Sequence, residues 1–97
     1  MPLFLVTPLG HNYDQIGQGV RRAFSETGDW FEVQSKAGYL VSFRGTTVEL
    51  SNLLKITGED LQPSDLVGPA MITSVGSYYG RAATTMWEWM KSRIEAG

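Results

Sequence analysis

The chain has 97 residues, no cysteine and a formal net charge of −2 at pH 7, with a pI near 5.2. The missing cysteine excludes disulfides, zinc–thiolate centres and thiol catalysis, and the acidic balance excludes the overall positive field of a dedicated nucleic-acid binder, though not a local basic patch. With 42% hydrophobic and 19% charged residues, the composition is that of one folded domain over residues 1–97, not of a disordered segment.

Residues 3–7, Leu-Phe-Leu-Val-Thr, form an apolar run closed by Pro8 and Gly10, the pattern of a central strand buried on both faces. No basic residue precedes this run, and it is too short for the core of a secretion signal. No stretch approaches the roughly 20 apolar residues of a membrane span. The chain is therefore expected in the cytoplasm, with no membrane partner.

Asn12, with Gln15 three positions on, predicts a capping box at the start of a helix. Tyr13, Ile16, Val20, Ala23 and Phe24 follow at helical spacing and define its inward stripe, leaving Arg21 and Arg22 outside. Gly17 and Gly19 each cost this helix about 1 kcal/mol, a cost that close packing by another backbone would offset. Gly28 ends the helix.

Residues 29–35 and 39–44 alternate on either side of Lys36-Ala37-Gly38, which predicts a β-hairpin. Phe31 and Val33 are expected to share the core face with Tyr39, Val41 and Phe43, leaving Ser42 and Arg44 on the other. Gly45 breaks the strand, and Thr46 with Glu49 makes a second capping box before the apolar stripe Leu50, Leu53 and Leu54. Residues 58–69 read as an acidic, turn-rich surface connection, with Leu61 and Leu66 dipping into the core. Residues 70–75 read as a fourth strand, 76–80 as a loop and 82–95 as a closing helix.

Strand, helix, hairpin, helix, strand makes two split β-α-β units. The expected fold is α+β and ferredoxin-like, in the order β-α-β-β-α-β-α, with an antiparallel sheet ordered 4-1-3-2 and the helices on one face. Residues 7–12, 36–38 and 68–70 then share one end of the sheet, and 76–81 lie at the other. His11 is expected not to meet Tyr78 or Tyr79 within one chain.

His11 is the only histidine, and no serine nucleophile with an orienting carboxylate accompanies it, Asp14 being merely its neighbour. It reads as a solvated loop residue. Glu59, Asp60 and Asp65 have the spacing of no calcium loop, and the glycine-rich stretches 10–19 and 76–80 match no phosphate-binding fingerprint. No catalytic residue, metal ligand or cofactor is assigned. Tyr39 and Phe43 alternate as a core set does, not as an exposed platform for stacked bases.

Tyr78 and Tyr79 stand on a loop that carries Arg81 toward a helix start, where an anion is favoured. The bland reading is that such tyrosines serve local packing or an interface. In the closing helix, Ala83, Met86, Trp87, Met90 and Ile94 form the stripe expected to pack on the domain, with Trp89 and Arg93 pointing elsewhere. Tryptophan and methionine are enriched at interface cores. Tyr78, Tyr79, Trp89 and Arg93 are therefore the expected interface residues. The competing reading is that the second tryptophan covers an open part of the sheet.

Phe4-Leu5-Val6-Thr7, Asn12-Tyr13-Asp14 at a helix start, Trp30 in the hairpin, and Gly80-Arg81-Ala82-Ala83 ahead of Trp87 and Trp89 carry a resemblance over nearly the whole chain. In their order and aromatics they resemble the small SinR-like proteins related to the CRISPR spacer-acquisition (VapD-type) nuclease fold. The resemblance implies a ferredoxin-like homodimer, often encoded on prophage or mobile elements. In the nuclease branch, an aspartate at the end of the first strand supplies a metal site at the dimer axis. Here Pro8 or Leu9 stands at that position, and no carboxylate occurs before Asp14.

The leading expectation is a non-catalytic interaction or regulatory protein. Its two-fold contact would be built from the fourth strand and the closing helix and anchored by Trp89, and a further protein partner is unidentified. The alternative is a divergent metal-dependent nuclease or nucleic-acid binder using Arg21, Arg22, Arg44 and Arg81.

Overall fold

The computed structural model describes residues 2–58, 61–62, 67–76 and 84–95. In chain order these form β1 (Leu3–Pro8), α1 (Tyr13–Phe24), β2 (Trp30–Glu32), a 3₁₀ turn (Gln34–Lys36), β3 (Tyr39–Ser42), α2 (Thr47–Leu53), β4 (Ala70–Val75) and α3 (Thr84–Glu95). The fold is α+β. Its four strands pair antiparallel in the order β2-β3-β1-β4, which counted from the β4 edge is 4-1-3-2.

The apolar runs of β1 and β3 pack on both faces of the sheet. Phe4, Val6, Tyr39 and Val41 meet Ile16, Val20 and Phe24 of α1 together with Leu50 and Leu54. On the opposite face Leu3 and Leu40 meet Met90 of α3, with Leu5, Phe31, Val33, Val75, Met86, Trp87 and Trp89 around them. The helices of the two β-α-β units, α1 and α2, thus share one side as expected, while α3 takes the other, so the helices do not all lie on one face. Leu3, Leu5, Leu40 and Phe31 would otherwise leave a broad apolar face in water, and burying such area contributes about 25 cal/mol per Å².

Several local expectations change as well. Asn12 precedes α1 but makes no capping hydrogen bond, and its side chain is spent elsewhere. Gly17 makes room for a side chain, not a backbone, because a methyl group there would collide with the Tyr39 hydroxyl. Gly19 does approach backbone, the carbonyl oxygen of Leu54 lying 3.5 Å from where its Cβ would be. Leu53 is 43% exposed, since the seven-residue α2 turns only the line through Leu50 and Leu54 inward. The capping box of α2 is present: Thr46 Oγ1 accepts from Glu49 N at 3.1 Å, and Thr46 N donates to Glu49 Oε1 at 3.1 Å.

The hairpin also departs from the simple alternation. After Glu32 the chain enters the 3₁₀ turn, where Ser35 (φ 60°) and Lys36 (φ 55°) take left-handed backbone, and Val33 N donates to Gly38 O at 2.9 Å. The resulting register sets Trp30 opposite Val41 and Phe31 opposite Leu40. Trp30 therefore joins Tyr39, Val41 and Phe43 on the α1–α2 face, while Phe31 and Val33 turn toward α3. A one-residue change of register exchanges the faces, which is why the expected grouping of Phe31 with Tyr39 fails.

Candidate functional site

The strands bring three loops to one end of the sheet: Val6 faces Tyr39, Pro8 faces Ala70, and Leu9 N donates to Pro69 O at 3.0 Å. Asn12 ties this end together. Its Oδ1 accepts from Gly10 N at 3.2 Å, and its Nδ2 donates to Val67 O at 2.8 Å and Pro69 O at 2.9 Å. Gly68 (φ 89°) sits against that amide, and any side chain there would strike it. Asn12 thus fixes where the chain enters β4. The two carbonyls that its Nδ2 meets lie 55 and 57 positions away, so no local sequence signal could have pointed to them.

β4 is the outermost strand on its side, and among the described residues nothing pairs with its outer edge. The direction of its backbone groups follows from two bonds. Leu9 N bonds toward the β4 side, whereas Phe43 N donates to Pro2 O at 3.1 Å, so odd residues of β1 bond β4 and even ones bond β3. Antiparallel ladders alternate in this way, so Met71, Thr73 and Val75 bond β1, opposite Thr7, Leu5 and Leu3. Ala70, Ile72 and Ser74 therefore present N–H and C=O groups outward. None of the six residues of this edge is charged or proline.

A groove of about 590 Å³ runs beside this edge between α2 and β4. Ile56, Ile72, Val48 and Ala70 give it apolar walls, and Thr47, Ser51, Asn52 and Thr57 supply polar groups. Those groups satisfy one another in part, with Thr57 Oγ1 2.8 Å from Ser51 Oγ and 2.6 Å from Asn52 Oδ1. Among the described residues, no charged side chain lines the groove. Of the apolar walls Val48 is 65% exposed, and on the other face of the strand Met71 is 50% exposed.

A second cluster joins α1 to the hairpin. The Tyr13 and Tyr39 rings stack with centroids 5.0 Å apart, and Lys36 Nζ lies 5.9 Å from the Tyr13 ring centre. Arg21 lies 5.6 Å over Trp30 and bonds Glu32 at 3.4 Å. The Tyr13 hydroxyl is buried and makes no hydrogen bond of good geometry, although the Tyr39 hydroxyl and Glu32 lie beside it. Burial first, and then these two neighbours, push its pKa well above the ordinary phenol value. Tyr13 and Trp30 are already in contact with other rings and with cations, which leaves them poorly placed to stack bases.

Of the expected site residues, Tyr78, Tyr79 and Arg81 lie outside the described residues, as do Glu59, Asp60 and Asp65. His11, Asp14, Arg22 and Arg44 are exposed. Among the described residues, no three histidine or carboxylate side chains converge as metal ligands would.

Trp89 and Arg93 do not point away from the domain. The Trp89 ring lies 5.8 Å from that of Phe31, and Arg93 stacks on Trp89 at 5.2 Å. Arg93 Nε is 3.2 Å from Asp29 Oδ1, and its Nη2 donates to Gly28 O at 3.0 Å. Phe31 and Asp29 thus draw both residues toward the sheet, and Ile94, expected in the inward stripe, is 46% exposed. Phe31 belongs to β2, the edge strand opposite β4, so Trp89 packs at the side of the sheet away from the β4 edge.

No protein-family model, curated protein or solved structure matches this chain.

Proposed function

We propose that the chain is a non-catalytic interaction or regulatory protein of the cytoplasm, acting as a homodimer on a ferredoxin-like scaffold of the SinR-like kind. The observation that carries this reading is the outer edge of β4. Among the described residues nothing pairs with the outward backbone groups of Ala70, Ile72 and Ser74, and the strand has none of the charges or prolines that normally protect an edge from pairing. Pro8 and Leu9, both uncharged, end β1 where the nuclease branch would carry its aspartate. The alternative, a nucleic-acid binder, has less support, because Arg21 is engaged by Glu32 and Trp30. Sedimentation at micromolar concentration tests the proposal. A dimer near twice the 10.7 kDa chain mass is expected, and a monomer would end it. Salt-sensitive binding of a short single-stranded RNA by that monomer would favour the alternative instead.

A further inference from the structure

The geometry of β4 points to how two copies join: their β4 strands pair antiparallel about a two-fold axis at Ile72, giving one continuous sheet through both chains. The inference rests on the dimeric reading above and adds its register and its contacts.

Strand groups that point outward bond only to groups that point outward. Ala70, Ile72 and Ser74 are those groups, so they must face the same set in a second copy. With the axis at Ile72, Ala70 meets the partner's Ser74, Ile72 meets the partner's Ile72 and Ser74 meets the partner's Ala70. Moving the axis to Met71 or Thr73 sends one end of this ladder outside the strand, to Gly68 or Gly76, and loses a pair of bonds. The register with the axis at Ile72 uses every outward group of β4.

The occupant follows from the same surface. None of the described residues of the edge or of the groove lining is charged, and a strand of the same spacing supplies the complementary donors and acceptors. Ile72 lines the groove, so the pairing sets each Ile72 beside the partner's Ile72 and joins the two α2–β4 grooves across the axis. Met71, half exposed in one chain, comes to lie opposite the partner's Thr73 on the other face. The symmetry is isologous and closed, which stops association at two chains.

The absence of cysteine makes a single-cysteine scan clean. Met71→Cys, Ile72→Cys and Thr73→Cys are each oxidised under mild conditions and followed on non-reducing gels, beside sedimentation of the wild type. In the proposed register the two Ile72 Cα atoms are about 5.5 Å apart, within disulfide range. Each Met71 or Thr73 lies diagonally from its own counterpart, roughly 7–8 Å away and past that range. Ile72→Cys should therefore cross-link at least about tenfold faster than the other two. Amide exchange at Ile72 and Ser74 of the unmutated protein should slow as concentration rises. Faster cross-linking at Met71→Cys or Thr73→Cys would overturn the register. A wild-type dimer with no cross-link in any variant, and no concentration-dependent protection, would move the contact off β4. A wild-type monomer would instead remove the dimeric reading itself.

Discussion

At Gly17 an added methyl would run into the rigid Tyr39 ring, whereas at Gly19 it would meet the Leu54 carbonyl oxygen and Arg22 Nη2 at ordinary contact distance. The same substitution on one helix should therefore act in opposite directions. Gly17→Ala is expected to lower stability by about 1–3 kcal/mol through overpacking, even after its helix-propensity gain. Gly19→Ala should raise stability by about 1 kcal/mol from propensity alone. Urea denaturation of the two variants checks the pair, and a loss at Gly19 would show that its neighbours do not accommodate a methyl. Tyr13 gives a residue-scale prediction in pH. Its folded pKa is raised, so the native state holds the phenol proton more tightly than the unfolded chain does. Stability is then whole below the ordinary value of 10.0 and falls as pH rises beyond it. In Tyr13→Phe this alkaline decline should be shallower, and the loss of a buried hydroxyl lacking a good partner should cost little near pH 7. Melts at pH 7 and above pH 10 decide it.

At the scale of elements, α3 is the part whose role changes most. Trp89 rests on Phe31, and Arg93 reaches Asp29 and the Gly28 carbonyl, so the helix is fastened to the α1–β2 side of its own domain. Trp89→Ala should accordingly lower the stability of the domain, by about 2–4 kcal/mol for a large, half-buried aromatic. The dimer should persist at concentrations where the variant is folded. Thermal melts read beside sedimentation separate the outcomes: dissociation with an unchanged melting temperature would return Trp89 to an interface. The capping box of α2 was legible from Thr46 and Glu49 because both of its bonds are local. Asn12 looked the same in sequence, yet the carbonyls of Val67 and Pro69 claim its amide. A short polar side chain accepts whichever partner the fold delivers.

At the scale of the whole molecule, β4 carries the functional proposal, and one substitution probes it directly. Ser74 is exposed and its N–H points outward, so proline there removes an edge donor without removing a bond to β1. Ser74→Pro is expected to shift the protein from dimer to monomer while circular dichroism stays native. A dimer of undiminished affinity would place the contact elsewhere.

The sequence by itself determined the local elements. The run from Leu3, the 3.6-residue stripe of α1, the Thr46 box and the strand at Ala70 are all written in neighbouring residues, because hydrophobic period and capping act over a few positions. Tertiary structure alone decided which face of the hairpin Phe31 takes, that α3 covers the second sheet face, what Asn12 binds and where the α2–β4 groove opens. Each of these depends on groups brought together from distant parts of the chain. A turn of unanticipated shape reverses a strand's faces, and a helix rotates to the side where Phe31 and Asp29 hold it.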